Sequence, residues 1–230
     1  MNLPNALTVG RIAITPLIAV LPFAPATTPR LIAFILFLVA AISDYADGVL
    51  ARSRKQETTL GKLLDPLADK LLLVGTFVPM WVLMQSADGA VSGSSFTNAD
   101  LSPRAMPFVT PWGQVTLPWR IVVIVLGREL AMTIFRQAAA RRGVVIAAIG
   151  PAKVKTTFQL VWQGAAYLWF FVVTAALTHA WSGSLWRGIA FFIGVSGTLL
   201  MTVAVLLTIY SLWLYVSRYR RVFVESRARG

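Results

Sequence analysis

The feature that most constrains this chain is a series of long apolar segments separated by short charged connections. About 20 apolar residues in a helix cross the roughly 30 Å hydrocarbon core of a bilayer. Apolar residues make up 57% of the 230-residue chain and charged residues only 13%, whereas about a quarter of a soluble domain is charged. A soluble fold would have to bury every segment in one small core. The sequence therefore predicts an all-α integral membrane protein.

Six transmembrane helices are expected. The predicted spans are residues 6–25, 31–51, 62–84, 119–139, 156–178 and 188–216. Three prolines interrupt the first span and Arg11 lies inside it, so an interfacial amphipathic helix is the alternative there. The whole chain, residues 1–230, is predicted to be a single membrane domain.

The net charge of +12 is unevenly distributed along the chain. Arginines and lysines concentrate in the second and fourth connections and in the basic tail, residues 217–230, while the alternate connections carry few. The positive-inside rule then places both termini and the basic connections in the cytoplasm. Since the basic residues flank spans, anionic lipid headgroups account for them better than nucleic acid, which is not expected as a partner.

Residues 85–118 form the long connection of the chain and are rich in Ser, Gly and Pro. We expect this segment to be an irregular extracytoplasmic loop. Its second half is expected to lie along the headgroup region, with Trp112 and Trp119 as interfacial anchors. A tolerated insertion is favoured over a functional role.

Four aspartates interrupt the apolar sequence at helical spacing. They are Asp44, Asp47, Asp65 and Asp69. Each pair occupies one face of its helix, and the short basic connection between the second and third spans brings both pairs to similar membrane depth. Acidic residues inside a membrane are costly and indicate function. Four facing carboxylates require cations.

Hard oxygen ligands suit Mg²⁺, with Mn²⁺ as the alternative. One Mg²⁺ seldom takes four protein carboxylates, so we predict two ions, an arrangement typical of phosphoryl transfer. Gly48, Ala51 and Gly61 lie one turn from the aspartates and leave room for a bulky ligand. Arg52 is a candidate for holding a pyrophosphate. The alternative is a structural ion-pair network with Arg52, Lys62 and Lys70.

Residues 44–69 read D-x2-D-G-x2-A-R-x8-G-x3-D-x3-D, which resembles the signature of the CDP-alcohol phosphatidyltransferase family without a departure. The resemblance implies six transmembrane helices, a homodimer, and transfer of a phosphatidyl group from a CDP-activated lipid to an alcohol with release of CMP. It also implies that Asp44, Asp47 and Asp65 bind metal and that Asp69 is the general base, with contact to a metal as its second role. By the same resemblance Gly48, Ala51, Arg52 and Gly61 line the CDP-lipid site.

Three further segments are similar to the bacterial branch of the family that makes phosphatidylglycerophosphate. They are the N-terminal N-L-P-N-A-L-T-V-G-R-I, the G-R-E-L of residues 127–130, and G-V-V-I-A-A-I-G-P-A-K-V-K-T-T-F-Q of residues 143–159. The resemblance implies CDP-diacylglycerol and sn-glycerol 3-phosphate as substrates and a multi-pass protein of a bacterial inner membrane whose active site faces the cytoplasm. Inositol phosphate or another alcohol is the alternative acceptor.

Several polar residues are candidates for binding the two substrates. Asn5, Thr8 and Arg11 lie roughly on one face of the first helix, where Asn5 and Thr8 are assigned to the CDP-lipid and Arg11 to the acceptor phosphate; headgroup anchoring is the alternative. A phosphate dianion suits a cluster of basic side chains at the cytoplasmic face. The basic candidates for it are Arg128, Arg141, Arg142, Lys153 and Lys155.

The intramembrane Arg128 requires a partner. Because adjacent helical residues do not face each other, we expect that partner to be a residue other than Glu129. A protein of another class, a divalent-cation transporter, is the remaining alternative for the aspartates. That class predicts polar groups continuing toward the outer face, which the sequence lacks.

Overall fold

A computed structural model of the chain describes residues 3–54, 59–85, 98, 101–141 and 150–224. Within these residues the protein is almost entirely helical. The helices are α1 (Leu3–Val20), α2 (Thr27–Arg54), α3 (Thr59–Leu83), α4 (Trp119–Ala140), α5 (Gly150–Thr178) and α6 (Gly183–Val224), and a short 3-10 turn (Leu21–Phe23) follows α1. Two three-residue strands, β1 (Phe108–Thr110) and β2 (Gly113–Val115), precede α4.

Five of the six helices are long and apolar enough to cross a membrane. The apolar stretches are Asn5–Phe23, Thr27–Asp44, Leu64–Leu83, Val154–Thr178 and Gly183–Ser217. The remaining helix, α4, has the length of a span, but four charged side chains (Arg120, Arg128, Glu129 and Arg136) interrupt its 22 residues. The chain is therefore a multi-pass helical membrane protein, and the first segment is a regular helix despite Pro16 within it.

The described residues divide into two compact units. The first contains Met1–Leu117 and Gln163–Gly197, and the second contains Pro118–Trp162 and Thr198–Gly230. Helices α5 and α6 are therefore each divided between the two units. The predicted single domain stays a prediction.

In the first unit, α1 packs against both α2 and α3. The contact with α3 is close at Gly75, where a Cβ atom would lie 2.8 Å from Cγ2 of Thr15, so only glycine allows this approach without movement. The buried Tyr167 of α5 stacks on Phe37 of α2, with ring centroids 5.4 Å apart. Its hydroxyl donates to the carbonyl of Ile18 at 3.2 Å. These contacts tie three helices around α1.

The segment before α4 is more ordered than the sequence suggests. Strands β1 and β2 form an antiparallel hairpin in which Phe108 pairs with Val115. Phe108 is fully buried against Gly197 of α6, and a Cβ atom at Gly194 would collide with the backbone of Val109. The expectation of irregular structure is therefore wrong for residues 108–115, which form the hairpin, while the extracytoplasmic position of residues 85–118 stays a prediction. Trp112 and Trp119 are exposed, at 65% and 60%.

Arg30 secures this hairpin segment to the helices. Its side chain is only 1% exposed, and its Nε donates to the carbonyl of Pro22 at 2.9 Å. Its two terminal nitrogens donate to Thr174 and to the carbonyl of Pro103. These named acceptors are neutral oxygens, and they join the turn after α1, the segment before β1 and α5.

Candidate active site

Three of the four aspartates have described side chains, and they lie where apolar sequence ends or begins. Asp44 is the last residue of the apolar stretch of α2, and Asp65 is the second residue of that of α3. Asp69 follows Asp65 by one turn and is 58% exposed at its side chain. The backbone of Asp47 lies in α2, but its side chain is outside the described residues.

Arg11 of α1 lies between the two aspartate helices. Its guanidinium Nη1 donates to Oδ1 of Asp44 at 2.5 Å and to Oδ1 of Asp69 at 3.0 Å. The Arg11 side chain is 1% exposed, whereas that of Asp44 is 39% exposed. One cationic nitrogen therefore joins carboxylates from two helices, and it does so from the buried side. The sequence assigned Arg11 to the acceptor phosphate; the structure places it against the carboxylates.

Thr8 makes the equivalent contact to the third carboxylate. Its hydroxyl donates to Oδ1 of Asp65 at 2.8 Å. Thr8 and Asn5 are 1% and 6% exposed, so the polar face predicted for α1 is buried. Thr15, one turn beyond Arg11, donates to the carbonyl of Arg11 at 2.7 Å and extends that face. The polar face of α1 thus contacts all three described aspartates.

The carboxylate oxygens of Asp44, Asp65 and Asp69 are of the chemical type that binds a divalent ion. Carboxylate oxygens from two helices converge on one positive charge, and hard cations take such oxygens as ligands. Among the described residues no three acidic or histidine side chains are grouped closely enough to hold a metal. A metal site formed by Asp44, Asp65 and Asp69 with Asp47, the fourth carboxylate of the signature, therefore stays a prediction.

The small and basic residues of the signature are described only in part. Gly61 is buried near the start of α3. Gly48, Ala51 and Arg52 continue α2 beyond Asp44 as backbone, but their side-chain surroundings lie outside the described residues. Their assignment to the CDP-lipid stays a prediction.

The second unit holds a separate group of charges around Glu129 of α4. Oε1 of Glu129 accepts from Nη1 of Arg128 at 2.8 Å and from Nζ of Lys155 on α5 at 2.5 Å. Lys155 is 2% exposed and Arg128 is 7% exposed. Ser211 of α6 completes the group by accepting from Nη2 of Arg128 at 3.1 Å. Two buried cations from two helices thus share one carboxylate.

The expectation that Glu129 is not the partner of Arg128 is wrong. Adjacent Cβ atoms on a helix do point apart, but the arginine side chain is long enough to turn back to its neighbour. The second partner, Ser211, comes from a helix more than 80 positions along the chain, and no local pattern indicates it.

The structure describes little of the other basic residues that the sequence assigns to the acceptor phosphate. Arg141 ends α4 and is exposed. Arg142 and the side chain of Lys153 lie outside the described residues. Two residues that the sequence did not single out, Arg136 and Tyr215, do belong to the charged group, since Nη2 of Arg136 donates to the Tyr215 hydroxyl at 3.3 Å.

Long apolar helices and two carboxylates joined by a buried arginine define a helical membrane protein with an acidic group at the ends of two of its apolar stretches. Comparison with known proteins is consistent with that class. The sequence model of the CDP-alcohol phosphatidyltransferase family matches residues 1–215. The chain belongs to this family, whose members are generally dependent on a divalent metal.

Similar proteins of known name align with most of the chain. A CDP-diacylglycerol–glycerol-3-phosphate 3-phosphatidyltransferase of Bacillus subtilis strain 168 is 31% identical over 229 residues, which is 94% of each chain. The protein of the same name from Escherichia coli K12 is 29% identical over 223 residues, 95% of each chain. A probable phosphatidylglycerophosphate synthase of Mycobacterium tuberculosis H37Rv is 31% identical over 163 residues, 70% of this chain and 63% of the relative.

Proposed function

We propose that this protein transfers the phosphatidyl group of CDP-diacylglycerol to sn-glycerol 3-phosphate, which yields phosphatidylglycerophosphate and CMP. The observation that carries the proposal is the convergence of Asp44 and Asp69 on Nη1 of Arg11, within the signature of residues 44–69. Family membership supports the phosphatidyl transfer. The names of the Bacillus and Escherichia relatives support glycerol 3-phosphate as acceptor.

In the proposed topology all six helices cross the membrane and both termini are cytoplasmic. Helix α4 is the sixth span, because Arg128 is paired with Glu129 and Ser211, and paired charges are tolerated inside a membrane. The positive-inside rule supports the orientation. The catalytic aspartates then face the cytoplasm of a bacterial inner membrane, where soluble glycerol 3-phosphate meets a lipid substrate.

Two Mg²⁺ ions, or Mn²⁺ in their place, are the proposed cofactors, with Asp44, Asp47, Asp65 and Asp69 as ligands. When bound, such ions offset charge on the pyrophosphate and on the departing phosphate. Thr8 orients Asp65 by donating to it at 2.8 Å. Arg11 holds Asp44 and Asp69 together from the buried side, so its proposed role is at the carboxylates rather than at the acceptor phosphate.

Asp69 is the proposed general base. It removes the proton of the sn-1 hydroxyl of glycerol 3-phosphate as that oxygen attacks the phosphorus bonded to the diacylglycerol oxygen. The new oxygen–phosphorus bond forms as the pyrophosphate bond to CMP breaks, and the proton stays on the Asp69 carboxylate until it passes to water. The exposed side chain of Asp69 is accessible to a soluble acceptor, as the base role requires.

The remaining signature residues are proposed to bind the CDP-lipid. Gly48, Ala51 and Gly61 leave room for the nucleotide, and Arg52 pairs with its pyrophosphate. Asn5 and Thr8 are proposed to face it from α1, and both are buried. The acceptor phosphate is assigned to Arg128 and Lys155, with Arg141, Arg142 and Lys153 as further basic residues. A homodimer is the proposed assembly.

The acceptor is tested by supplying purified protein with CDP-diacylglycerol and one alcohol at a time, and measuring CMP release. We expect glycerol 3-phosphate to give the fastest release, with serine, inositol phosphate and phosphatidylglycerol at least about tenfold slower, since a matched acceptor gains about 1.4 kcal/mol or more. Equal or faster release with inositol phosphate would assign the protein to another branch of the family.

A further inference from the structure

The charged group of the second unit extends beyond the two cations assigned to the acceptor. Tyr215 of α6 is fully buried, and two guanidinium groups lie against its ring. The Cζ atom of Arg128 is 6.0 Å from the ring centroid, and that of Arg136 is 5.8 Å from it. Distances of about 6 Å are those of cation–π contacts. One aromatic ring therefore contacts two of the three arginines of α4.

The two arginines differ in exposure. Arg128 is 7% exposed, whereas Arg136 is an exposed residue two helical turns nearer the C-terminal end of α4. Arg136 is bound to Tyr215 at the hydroxyl as well as near the ring. An exposed arginine is normally mobile, and loss of rotamer freedom is costly for it. Tyr215 therefore contacts both the exposed guanidinium of Arg136 and the buried guanidinium of Arg128.

The charge of the group is not balanced. Arg128, Arg136 and Lys155 carry three positive charges, and Glu129 supplies one negative charge. Nε of Arg128 is buried and has no hydrogen-bond partner among the described residues, and the same is true of Oε1 of Gln159, one turn after Lys155 on α5. A buried donor without a partner is costly. An anionic group can accept a hydrogen bond from such a donor, and a hydroxyl group can donate one to such an acceptor.

We infer that Arg136, held by Tyr215, is the outer arm of the acceptor-phosphate site and sets its selectivity for a phosphate monoester dianion. The inference rests on the proposed function, in which Arg128 and Lys155 bind that phosphate. Arg136 captures the phosphate at the exposed end of the group, and Arg128 receives it at the buried end. Glu129 is a positioning residue, because it holds Arg128 and Lys155 side by side before the ligand arrives.

The test measures steady-state kinetics of the full chain in lipid–detergent micelles. In Arg136→Gln we expect KM for glycerol 3-phosphate to rise about tenfold, the effect of roughly one charge-assisted hydrogen bond. The kcat and the KM for CDP-diacylglycerol should stay within about twofold of wild type, since a captured phosphate meets unchanged chemistry. Arg120→Gln is the matched control, because Arg120 is an exposed arginine in the first turn of the same helix.

Variants of Tyr215 separate the ring from the hydroxyl. Tyr215→Phe keeps the ring and should raise KM for glycerol 3-phosphate by no more than about threefold, because the hydrogen bond from Arg136 to the hydroxyl is long, at 3.3 Å, and therefore weak. Tyr215→Leu should raise it as much as Arg136→Gln does. If Tyr215→Leu does not fold, Arg136→Lys replaces it: this variant keeps the charge without the planar group and should fall between wild type and Arg136→Gln.

A direct binding measurement distinguishes failure of the inference from failure of the proposed function. Equilibrium dialysis of radiolabelled glycerol 3-phosphate, with inorganic phosphate as competitor, should show weaker binding to Arg136→Gln than to Arg120→Gln. Equal binding to both, in a protein that does release CMP with glycerol 3-phosphate, would overturn the inference alone. Binding that weakens in Arg136→Gln, in a wild-type protein without transfer to glycerol 3-phosphate, would support the anion site and overturn the proposed acceptor reaction.

Discussion

Arg11 and Asp69 are joined by a 3.0 Å contact from Nη1 to Oδ1, although 58 positions separate them in the chain. The same nitrogen also contacts Asp44 at 2.5 Å. A buried guanidinium thus lies between two carboxylates of different helices and offsets part of their mutual repulsion. Arg11 is therefore an internal cation at the place where the proposed metal ligands meet.

Replacing Arg11 with glutamine should increase the affinity of the site for divalent ions. Removal of a positive charge a few ångströms from Asp44 and Asp69 strengthens cation binding by more than about 1.4 kcal/mol at an effective dielectric near 20, or at least about tenfold in Kd. Titration with Mn²⁺ followed by electron paramagnetic resonance measures this affinity without substrate. Arg11→Lys is the control, since it keeps the charge. Unchanged or weaker Mn²⁺ binding in Arg11→Gln would contradict the role of Arg11 as an internal cation.

Asp69→Asn should abolish phosphatidyl transfer while the CDP-lipid still binds. The amide keeps the shape of the side chain but cannot accept the acceptor proton, and loss of a general base costs about 10²–10⁴-fold in rate. CMP release gives the rate, and binding of radiolabelled CDP-diacylglycerol gives the second measurement. Turnover within about tenfold of wild type would remove Asp69 from the base role.

Thr8→Val should lower activity through Asp65. The valine has the shape of threonine but cannot donate the 2.8 Å hydrogen bond to Oδ1 of Asp65, and a hydrogen bond to a charged group contributes about 1.5–3 kcal/mol. We expect a fall of about tenfold or more in kcat/KM and a higher Mg²⁺ concentration for half-maximal rate. Thr8→Ser keeps the hydroxyl and should stay within about threefold of wild type. Equal loss in both variants would point to packing rather than to the hydrogen bond.

Arg30→Met should affect stability far more than catalysis. The substitution leaves buried oxygens of Pro22, Pro103 and Thr174 without their donor, at about 1–3 kcal/mol for each unsatisfied group. The Tm in detergent should fall by at least about 5 °C, while the KM values of the remaining folded protein stay near wild type. Arg104→Met, at an exposed arginine, is the control and should leave Tm nearly unchanged. A stable Arg30→Met protein with altered KM would place Arg30 in a substrate site instead.

The positions of the helices were largely predictable, because apolar length and charged connections determine where spans begin and end. The approach of the second and third helices through their aspartates was predictable for the same reason, since Asp44 ends one apolar stretch and Asp65 is the second residue of the next; the four-carboxylate metal site stays a prediction. What could not be predicted was the partner of each charged side chain. Arg11 meets Asp69 across 58 positions and Arg128 meets Ser211 across 83, and such distant pairings depend on how helices rotate and pack.

The hairpin before α4 shows a second reason why some of the structure could not be predicted: composition alone does not reveal which residues of a connection are buried. It lies in the segment 85–118, whose composition, rich in Ser, Gly and Pro, resembles that of an exposed loop, yet Phe108 and Val109 are buried against Gly197 and Gly194. Those two glycines lie in α6, and small residues in a membrane helix usually let a second helix approach closely. The small residues do provide close packing, but their partner is a strand.

The proposed transfer to glycerol 3-phosphate is tested most directly by comparing the amount of radiolabelled lipid formed with the amount of CMP released. Radiolabelled glycerol 3-phosphate and CDP-diacylglycerol are incubated with purified protein and Mg²⁺, and label extracted into organic solvent is compared with CMP released. The account predicts one labelled lipid for each CMP in wild type, and neither product above background in Asp65→Asn. CMP release without labelled lipid, or an undiminished rate in Asp65→Asn, would contradict it.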